Sequence, residues 1–116
     1  MRLEFEIRDG IGHLRPRGRF VTGSDEQLAA ARKYLEEYEV CRAVLDFSAV
    51  PYIDSTGLAF VVELHKSLAA RGGQLLLVNA NERIREVLEM TRIREIVPLF
   101  DDAGEAEAAL RSEVLC

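Results

Sequence analysis

Residues 46–59 read DFSAVPYIDSTGLA, and the fold class can be predicted from them more directly than from any other segment. It begins where an apolar strand ends, passes through a loop that contains a proline, and reaches a turn at residues 54–57 that opens a strongly apolar helix. A strand followed by a loop and a helix is the building unit of α/β domains. Small polar residues at a helix start present free backbone N–H groups and a partial positive charge, which attracts anions such as phosphate.

Ser55, within this turn, has three interpretations. Its hydroxyl could cap the helix by accepting a backbone N–H bond, which contributes about 1 kcal/mol. It could instead be an acylation nucleophile or an acceptor of a phosphoryl group. A Gly-x-Ser-x-Gly nucleophile elbow is disfavoured, because Ile53 stands where the first glycine belongs. The candidate bases are also poorly placed, since His13 lies in a predicted edge strand and His65 lies in the apolar arc of a helix.

Four neighbours of Ser55 complete the candidate site. Asp54 either caps the helix and leaves Ser55 exposed, or orients the serine hydroxyl. Thr56 is a second, less favoured phosphoryl acceptor. Gly57 permits close approach of a partner or of a strand, or simply closes a tight turn. Tyr52 is a partner anchor or a core aromatic, and we expect an anchor because loop aromatics often mark interfaces.

The composition limits the class of protein. A chain of 116 residues fits one domain, at residues 1–116, that buries its own core. The net charge is −5 and no basic block occurs, so nucleic acid is not an expected partner. No apolar run reaches the length of a membrane span and the first residues lack a signal-peptide core, so we expect a cytoplasmic protein. Cys41 and Cys116 are expected to be reduced thiols, and no metal or other cofactor is expected.

The first residues predict a β-hairpin. Apolar and charged residues alternate over residues 2–8, which is the period of a half-buried strand. Asp9-Gly10 then predicts a tight turn into a second strand at residues 11–20. Pro16 cannot donate to a strand ladder, so this part of the strand is expected at an edge or a bulge.

A helix and a central strand are predicted next. Ser24 begins a capping box, with Gln27 three residues later, and the helix ends near Glu39. A strand at residues 42–47 is apolar nearly throughout, as expected when both faces are covered. The residues on the inward side of the helix are Leu28, Ala31, Leu35 and Tyr38.

The second half of the chain predicts three helices and two strands. The helix after the 54–57 turn stops at Gly72-Gly73, a strong C-terminal signal. A buried strand follows at residues 74–78, and Asn81 caps a short helix. A last strand at residues 96–100 and a helix at residues 102–112 complete the order β-β-α-β-α-β-α-β-α. This order predicts a single α/β domain with a mixed sheet of about five strands and about four helices.

These residues resemble the STAS domain, and within it the bacterial anti-sigma factor antagonists. The resemblance rests on the run from Leu45 to Leu58 with its long helix to Gly72-Gly73, on residues 84–91 with the strand after them, and on the β-β-α start at Gly18. It covers nearly the whole chain and implies the STAS-like α/β fold.

The resemblance also implies a phosphorylation switch. The regulatory serine of the family directly follows the aspartate of the motif, which here makes it Ser55. An anti-sigma factor with serine-kinase activity is implied to phosphorylate it from ATP, and a PP2C-type phosphatase to reverse this. The resemblance further implies that the unphosphorylated form binds the anti-sigma factor and so frees the sigma factor, and that the protein itself is not an enzyme. The alternative is a constitutive STAS scaffold subunit of a stress-signalling or lipid-transport complex, without a phospho-switch.

The expected docking face combines two loops and a helix start. It comprises residues 48–53, the 54–57 turn, the exposed edge of the next helix, and the loop at residues 19–24 with Val21 and Thr22. Family members often carry an acidic residue where Val21 stands, so this departure bears on the contact with a partner or nucleotide. Two further departures are Ala59 in place of a glycine and Arg92 in place of a small residue.

Overall fold

The computed structural model describes residues 2–19 and 25–111. Within these residues the chain forms five strands and five helices. The strands are β1 (Arg2–Arg8), β2 (Ile11–Arg17), β3 (Arg42–Asp46), β4 (Gln74–Val78) and β5 (Leu99–Phe100). The helices are α1 (Asp25–Glu37), α2 (Ser55–Ala70), α3 (Glu82–Met90), α4 (Ile93–Ile96) and α5 (Ala103–Arg111).

The sheet is mixed, and its strands lie side by side in chain order from β1 to β5. β1 is antiparallel to β2, whereas each later pair of neighbours is parallel. The carboxyl ends of β2 to β5 therefore meet at one edge of the sheet, which we call the carboxyl edge. The loops that leave this edge lead into α2 and α3, so the 54–57 turn lies there.

Helices cover both faces of the sheet because successive side chains of a strand point to opposite faces. Leu45 and Leu77 point into the larger core, and Val44 and Leu76 point into the smaller one. The predicted coverage of the central strand on both faces is therefore confirmed. Helical residues in the larger core are Leu28, Leu35, Val61, Leu64, Leu68, Ile84 and Leu88, and those in the smaller core are Ala106 and Leu110.

The hairpin between β1 and β2 turns in two residues, as its sequence predicts. Asp9 and Gly10 have φ of 54° and 75°, the left-handed values of a type I′ turn. Pro16 pairs with β1, but the pairing of β2 with β3 ends at Leu14. The prediction of a local edge at Pro16 is thus confirmed, although β2 as a whole is an inner strand.

Two elements near the end of the chain differ from the sequence pattern. The strand predicted at residues 96–100 comprises only Leu99–Phe100, and α4 is an additional short helix that the sequence does not predict. Arg92 has a φ of 62°, which ends α3, and one helical turn then closes through the bond from the Val97 N–H to the Ile93 carbonyl. A single turn is too short to show a helical hydrophobic period.

The prediction of a reduced thiol at Cys41 is also wrong, because Cys41 is disulfide-bonded. Its bonding partner lies outside the described residues. The Arg42 side chain donates to the Leu110 carbonyl, at 3.3 Å, which brings the end of α5 beside the start of β3. The fold brings these distant parts of the chain together. The spacing of the cysteines in the sequence does not predict it.

The α2–β4 turn should tolerate no side chain at its second glycine. A Cβ on Gly73 would overlap the carbonyl oxygen of Cys41, whereas a Cβ on Gly72, at a φ of 79°, would meet nothing within 4 Å. We expect Gly73→Ala to lower the free energy of unfolding in urea by about 3 kcal/mol or more, because strand backbone must move. Gly72→Ala, the matched control, should cost about 1 kcal/mol from backbone strain alone. Equal costs for the two variants would contradict this packing.

Charged side chains join the hairpin to α5. The carboxylate of Glu107 lies 3.0 Å from the Arg8 guanidinium and 3.2 Å from Nε2 of His13. Burial of the imidazole, and next the charge of Arg8, lower the pKa of His13 below its ordinary value of 6.5. The ring is therefore mostly neutral near pH 7, with Nε2 beside the Glu107 carboxylate.

This lowered pKa makes stability depend on pH. The unfolded chain binds a proton on His13 before the folded protein does, so stability present above pH 6.5 is lost as the pH falls. Between about pH 7.5 and about pH 5.5 we expect the free energy of unfolding to fall more steeply in the wild type than in His13→Gln. Urea titrations at several pH values measure the difference, and parallel curves would count against it.

Candidate functional site

Asp54 caps the helix that carries the candidate serine. Its Oδ1 accepts the N–H of Gly57 at 3.0 Å, and its carbonyl accepts the N–H of Leu58 at 2.9 Å. Its extended backbone, with φ −108° and ψ −173°, is typical of an N-cap residue. Of the two interpretations of Asp54, the structure supports the cap.

Ser55 is the first residue of α2 and is exposed. Since Asp54 holds the cap position, the interpretation of Ser55 as the N-cap is wrong. Thr56 follows half-buried, and Gly57 is buried at the third helical position. The serine hydroxyl is thus the most accessible side-chain acceptor of the turn, and the partner-binding roles of Thr56 and Gly57 stay predictions.

Hydrogen bonds hold the loop before the turn against its neighbours at the carboxyl edge. The N–H of Gly18, after β2, donates to the carbonyl of Ala49 at 2.9 Å. Oδ1 of Asp46, at the end of β3, accepts from the N–H of Ser48 at 2.8 Å and from the amide of Asn79 at 3.2 Å. The loop is therefore tied to the strands on both sides of β3.

Asn81 ties the same loop to α3. Its Oδ1 caps α3 by accepting the N–H of Ile84 at 2.9 Å. Its side-chain amide donates to the carbonyls of Pro51 and Val50, at 3.3 and 3.4 Å. One side chain thus fixes both the start of α3 and the loop that leads to Ser55. The sequence predicts only the cap, because a hydrogen bond to a loop 30 residues away has no local pattern.

Tyr52 stands on the surface of this loop, with 37% of its area exposed. The guanidinium of Arg19 lies 5.3 Å from its ring centroid, a cation–π contact. This contact joins the two loops of the expected docking face. The exposure agrees with the anchor interpretation, which stays a prediction. Val21 and Thr22 lie outside the described residues.

Neither histidine is placed to activate Ser55. His65 lies ten residues further along α2, which is about 15 Å along the helix axis. His13 contacts Glu107 of α5, on the opposite face of the sheet from α2. The geometry therefore gives no support to the nucleophile interpretation.

The helix start at the turn tolerates an added anion. The first turn of α2 contains no acidic residue, and α2 is 16 residues long. Its N-terminus therefore carries the partial positive charge of a full helix, with Asp54 the carboxylate beside it. A phosphoryl group on Ser55 would be placed where this charge tolerates it. Among residues 2–19 and 25–111, no three metal-binding side chains lie together.

The fold and this turn can now be compared with known proteins. Residues 2–106 match the sequence profile of the STAS domain. The chain belongs to the STAS domain family. The resemblance drawn from the residues around Ser55 is thereby confirmed, as is the predicted single α/β fold with a mixed five-stranded sheet.

Several STAS proteins are similar to this chain. A Thermotoga maritima protein, provisionally named an anti-sigma factor antagonist, is 37% identical over 67 residues, which are 58% of this chain and 59% of that protein. The anti-sigma-B factor antagonist of Listeria monocytogenes is 32% identical over 91 residues, which are 74% of this chain and 80% of that protein. The matched region thus spans about three-fifths of the Thermotoga protein and more of the Listeria one.

A solved STAS structure agrees with the fold over nearly its full length. The crystal structure of the Thermotoga maritima protein TM1081 superposes with a TM-score of 0.82 and 27% identity, covering 94% of each chain. In the part of this chain that the structure describes, no helix has the length and apolar character needed to cross a bilayer.

The cap and the serine should differ in their effect on stability. We expect Asp54→Ala to lower the free energy of unfolding by about 1 kcal/mol, because the N–H of Gly57 loses its acceptor. Asp54→Asn keeps an acceptor oxygen and should retain most of the stability that the cap contributes. Ser55→Ala should stay within about 0.5 kcal/mol of the wild type, as exposed substitutions do. Urea denaturation measures all three, and an equal loss for Ser55→Ala would mean that the serine contributes to the cap.

Proposed function

We propose that this chain is an anti-sigma factor antagonist controlled by phosphorylation at Ser55. Unphosphorylated, it binds an anti-sigma factor that has serine-kinase activity and so frees a sigma factor. Phosphorylated, it is released. It acts by binding rather than catalysis, in the cytoplasm, and a PP2C-type phosphatase restores the binding form.

One observation carries the proposal: Asp54 takes the capping role and leaves Ser55 exposed at the first position of α2. A kinase needs an accessible hydroxyl, and a reversible switch needs a fold that survives both states. Because Asp54 and not Ser55 supplies the cap, the serine hydroxyl is accessible and its modification does not remove a bond on which the helix depends. The names of the Thermotoga and Listeria relatives add support, since each describes an anti-sigma factor antagonist.

Phosphorylation would act on the interface and leave the domain folded. It adds a charge of about −1.5 to −2 and three strong acceptor oxygens. The helix N-terminus tolerates this charge when it faces water. A partner that covers the 54–57 turn would have to remove water from the phosphate, and the added group is too large for a surface that fits a serine. The phosphate therefore blocks docking directly.

The docking face in this proposal has the 54–57 turn at its centre. Tyr52, with Arg19 against its ring, provides an aromatic anchor beside the turn. The hydrogen bonds from Gly18 and Asn81 hold the intervening loop in place before the partner arrives. A surface ordered in advance loses less conformational entropy on binding.

The first test asks whether Ser55 carries phosphate in the cell. The protein is isolated from its own cells with phosphatases inhibited, and its intact mass is measured before the site is mapped. We expect a phosphorylated fraction with the phosphate on Ser55. Absence of phosphate under every growth and stress condition, together with constant co-purification of a large complex, would instead favour the constitutive STAS scaffold.

The second test measures binding to an anti-sigma factor kinase of the same organism. We expect Ser55→Ala to bind at least as tightly as the wild type. Ser55→Asp should bind at least about 30-fold more weakly, because a buried unpaired charge is costly at an interface. Ser55→Asn is the matched control, since it has nearly the same shape without the charge. Tight binding by Ser55→Asp would contradict the blocking mechanism.

A further inference from the structure

We propose that two copies of this chain associate through their β1 strands, which pair antiparallel and extend the sheet across a two-fold axis. This inference concerns the outer edge of the sheet, two strands away from β3 and the loop that leads to Ser55, and does not depend on the proposed function. It rests on three features of β1: its free backbone groups, its apolar face and the order of its charges.

Within residues 2–19 and 25–111, β1 is the outermost strand of the sheet and pairs with β2 alone. Arg8 and Ile11 flank the two-residue turn, so they form a hydrogen-bonded pair, and such pairs recur at every second residue. The even-numbered residues of β1 therefore bond to β2. The peptide groups of the odd-numbered residues, Leu3, Phe5 and Ile7, point away from the sheet.

One of these outward groups already has a partner. The N–H of Leu3 donates to Oε1 of Gln27, in α1, at 2.9 Å. This bond confirms the direction of the odd-numbered peptide groups. It also protects one end of the strand, so the free portion of the edge is centred on Phe5 and Ile7.

The side chains of the same odd-numbered residues form an incompletely covered apolar strip. Leu3, Phe5 and Ile7 are half-buried against the larger core. Tyr34 contacts Phe5 edge-on, with 4.7 Å between ring centroids, and Tyr38 lies 4.5 Å from Tyr34. These tyrosines are 40% and 60% exposed, although helical spacing predicts Tyr38 inside. Beside them is an apolar hollow of about 280 Å³, lined by Leu3, Phe5, Gln27, Ala30, Ala31 and Tyr34.

The charges on the other face of β1 complement those of a second copy. Arg2, Glu4, Glu6 and Arg8 follow one another at alternate positions. With Glu6 on the two-fold axis, Glu4 of each copy lies opposite Arg8 of the other, and Phe5 lies opposite Ile7. Opposite charges at such cross-strand positions attract. The guanidinium of Arg8, 3.3 Å from Glu6 in the same copy, offsets the repulsion between the two Glu6 side chains.

This register also completes the backbone bonding. Phe5 and Ile7 of each copy would exchange about four N–H···O bonds with their counterparts, and Leu3 would keep its bond to Gln27. Protein edges that avoid self-pairing commonly carry charged side chains, above all lysine, or proline. β1 has no lysine or proline, and its four charges alternate in an order that two antiparallel copies can pair. A two-fold axis closes the assembly at two copies, because each copy has a single β1.

The association is tested first on the unmodified full chain by sedimentation velocity. We expect a dimer to form as the concentration rises to about 200 µM, consistent with a small interface of modest affinity. A protein that stays monomeric throughout this range overturns the proposal, whether or not its β1 edge accepts a strand of another protein.

Two charge reversals then test the register. Glu4→Arg places two arginines opposite each other in both pairs of the homodimer, and Arg8→Glu places two glutamates there. Each variant alone should dissociate at least about tenfold more readily than the wild type. An equimolar mixture should restore the dimer, because a heterodimer of the two variants regains both opposite-charge pairs.

Matched controls separate this effect from a change in net charge. Glu86→Arg and Arg83→Glu make the same changes on exposed positions of α3, and both should dimerise as the wild type does. Thermal melts establish that every variant is folded. If the wild type dimerises but the mixture fails to restore association, or the α3 controls weaken it equally, the pairing through β1 is wrong.

Discussion

The parallel pairing of β3 with both of its neighbours is the constraint on which the rest of the structure depends. It buries Ala43, Val44 and Leu45 almost completely and makes three strands end at the same edge. Loops that leave this edge must lie beside one another, whatever their sequences. Asp46 uses this proximity by accepting hydrogen bonds from its own loop and from Asn79 at the end of β4. The loop that leads to Ser55 is thus held by hydrogen bonds to neighbours that the parallel strands bring beside it.

The same arrangement explains how a few polar side chains can fix several helix starts and loops at once. Asp54 and Asn81 cap successive helices at one edge, and the side-chain amide of Asn81 also holds the loop that precedes Asp54. The helix starts, the loop and the aromatic side chain of Tyr52 are therefore fixed by few polar contacts. The proposed partner would meet a preformed surface, because Val50 and Ile53 of the same loop are buried in the larger core.

The sequence predicts those parts of the fold whose causes are local. Alternating residues identify β1, and Asp9-Gly10 and Gly72-Gly73 identify their turns, because each depends on a few neighbouring dihedral angles. The Ser55 turn is recognised for the same reason. The single turn of α4, the exposure of Tyr38 and the disulfide at Cys41 are not recognised, because each depends on contacts with distant residues. The contact of Arg19 with Tyr52 belongs to this second group.

The capping of α2 by Asp54 has a consequence for how such proteins diverge. Because Asp54 supplies the cap, a single codon change at position 55 would abolish or alter the proposed regulation without an unstable intermediate. Position 54 is more constrained, because its side chain supplies the oxygen that accepts the Gly57 N–H. Under this proposal the switch could be gained, lost or retuned over evolution while the domain that carries it stays the same, and paralogues of one scaffold could come to respond to different signals.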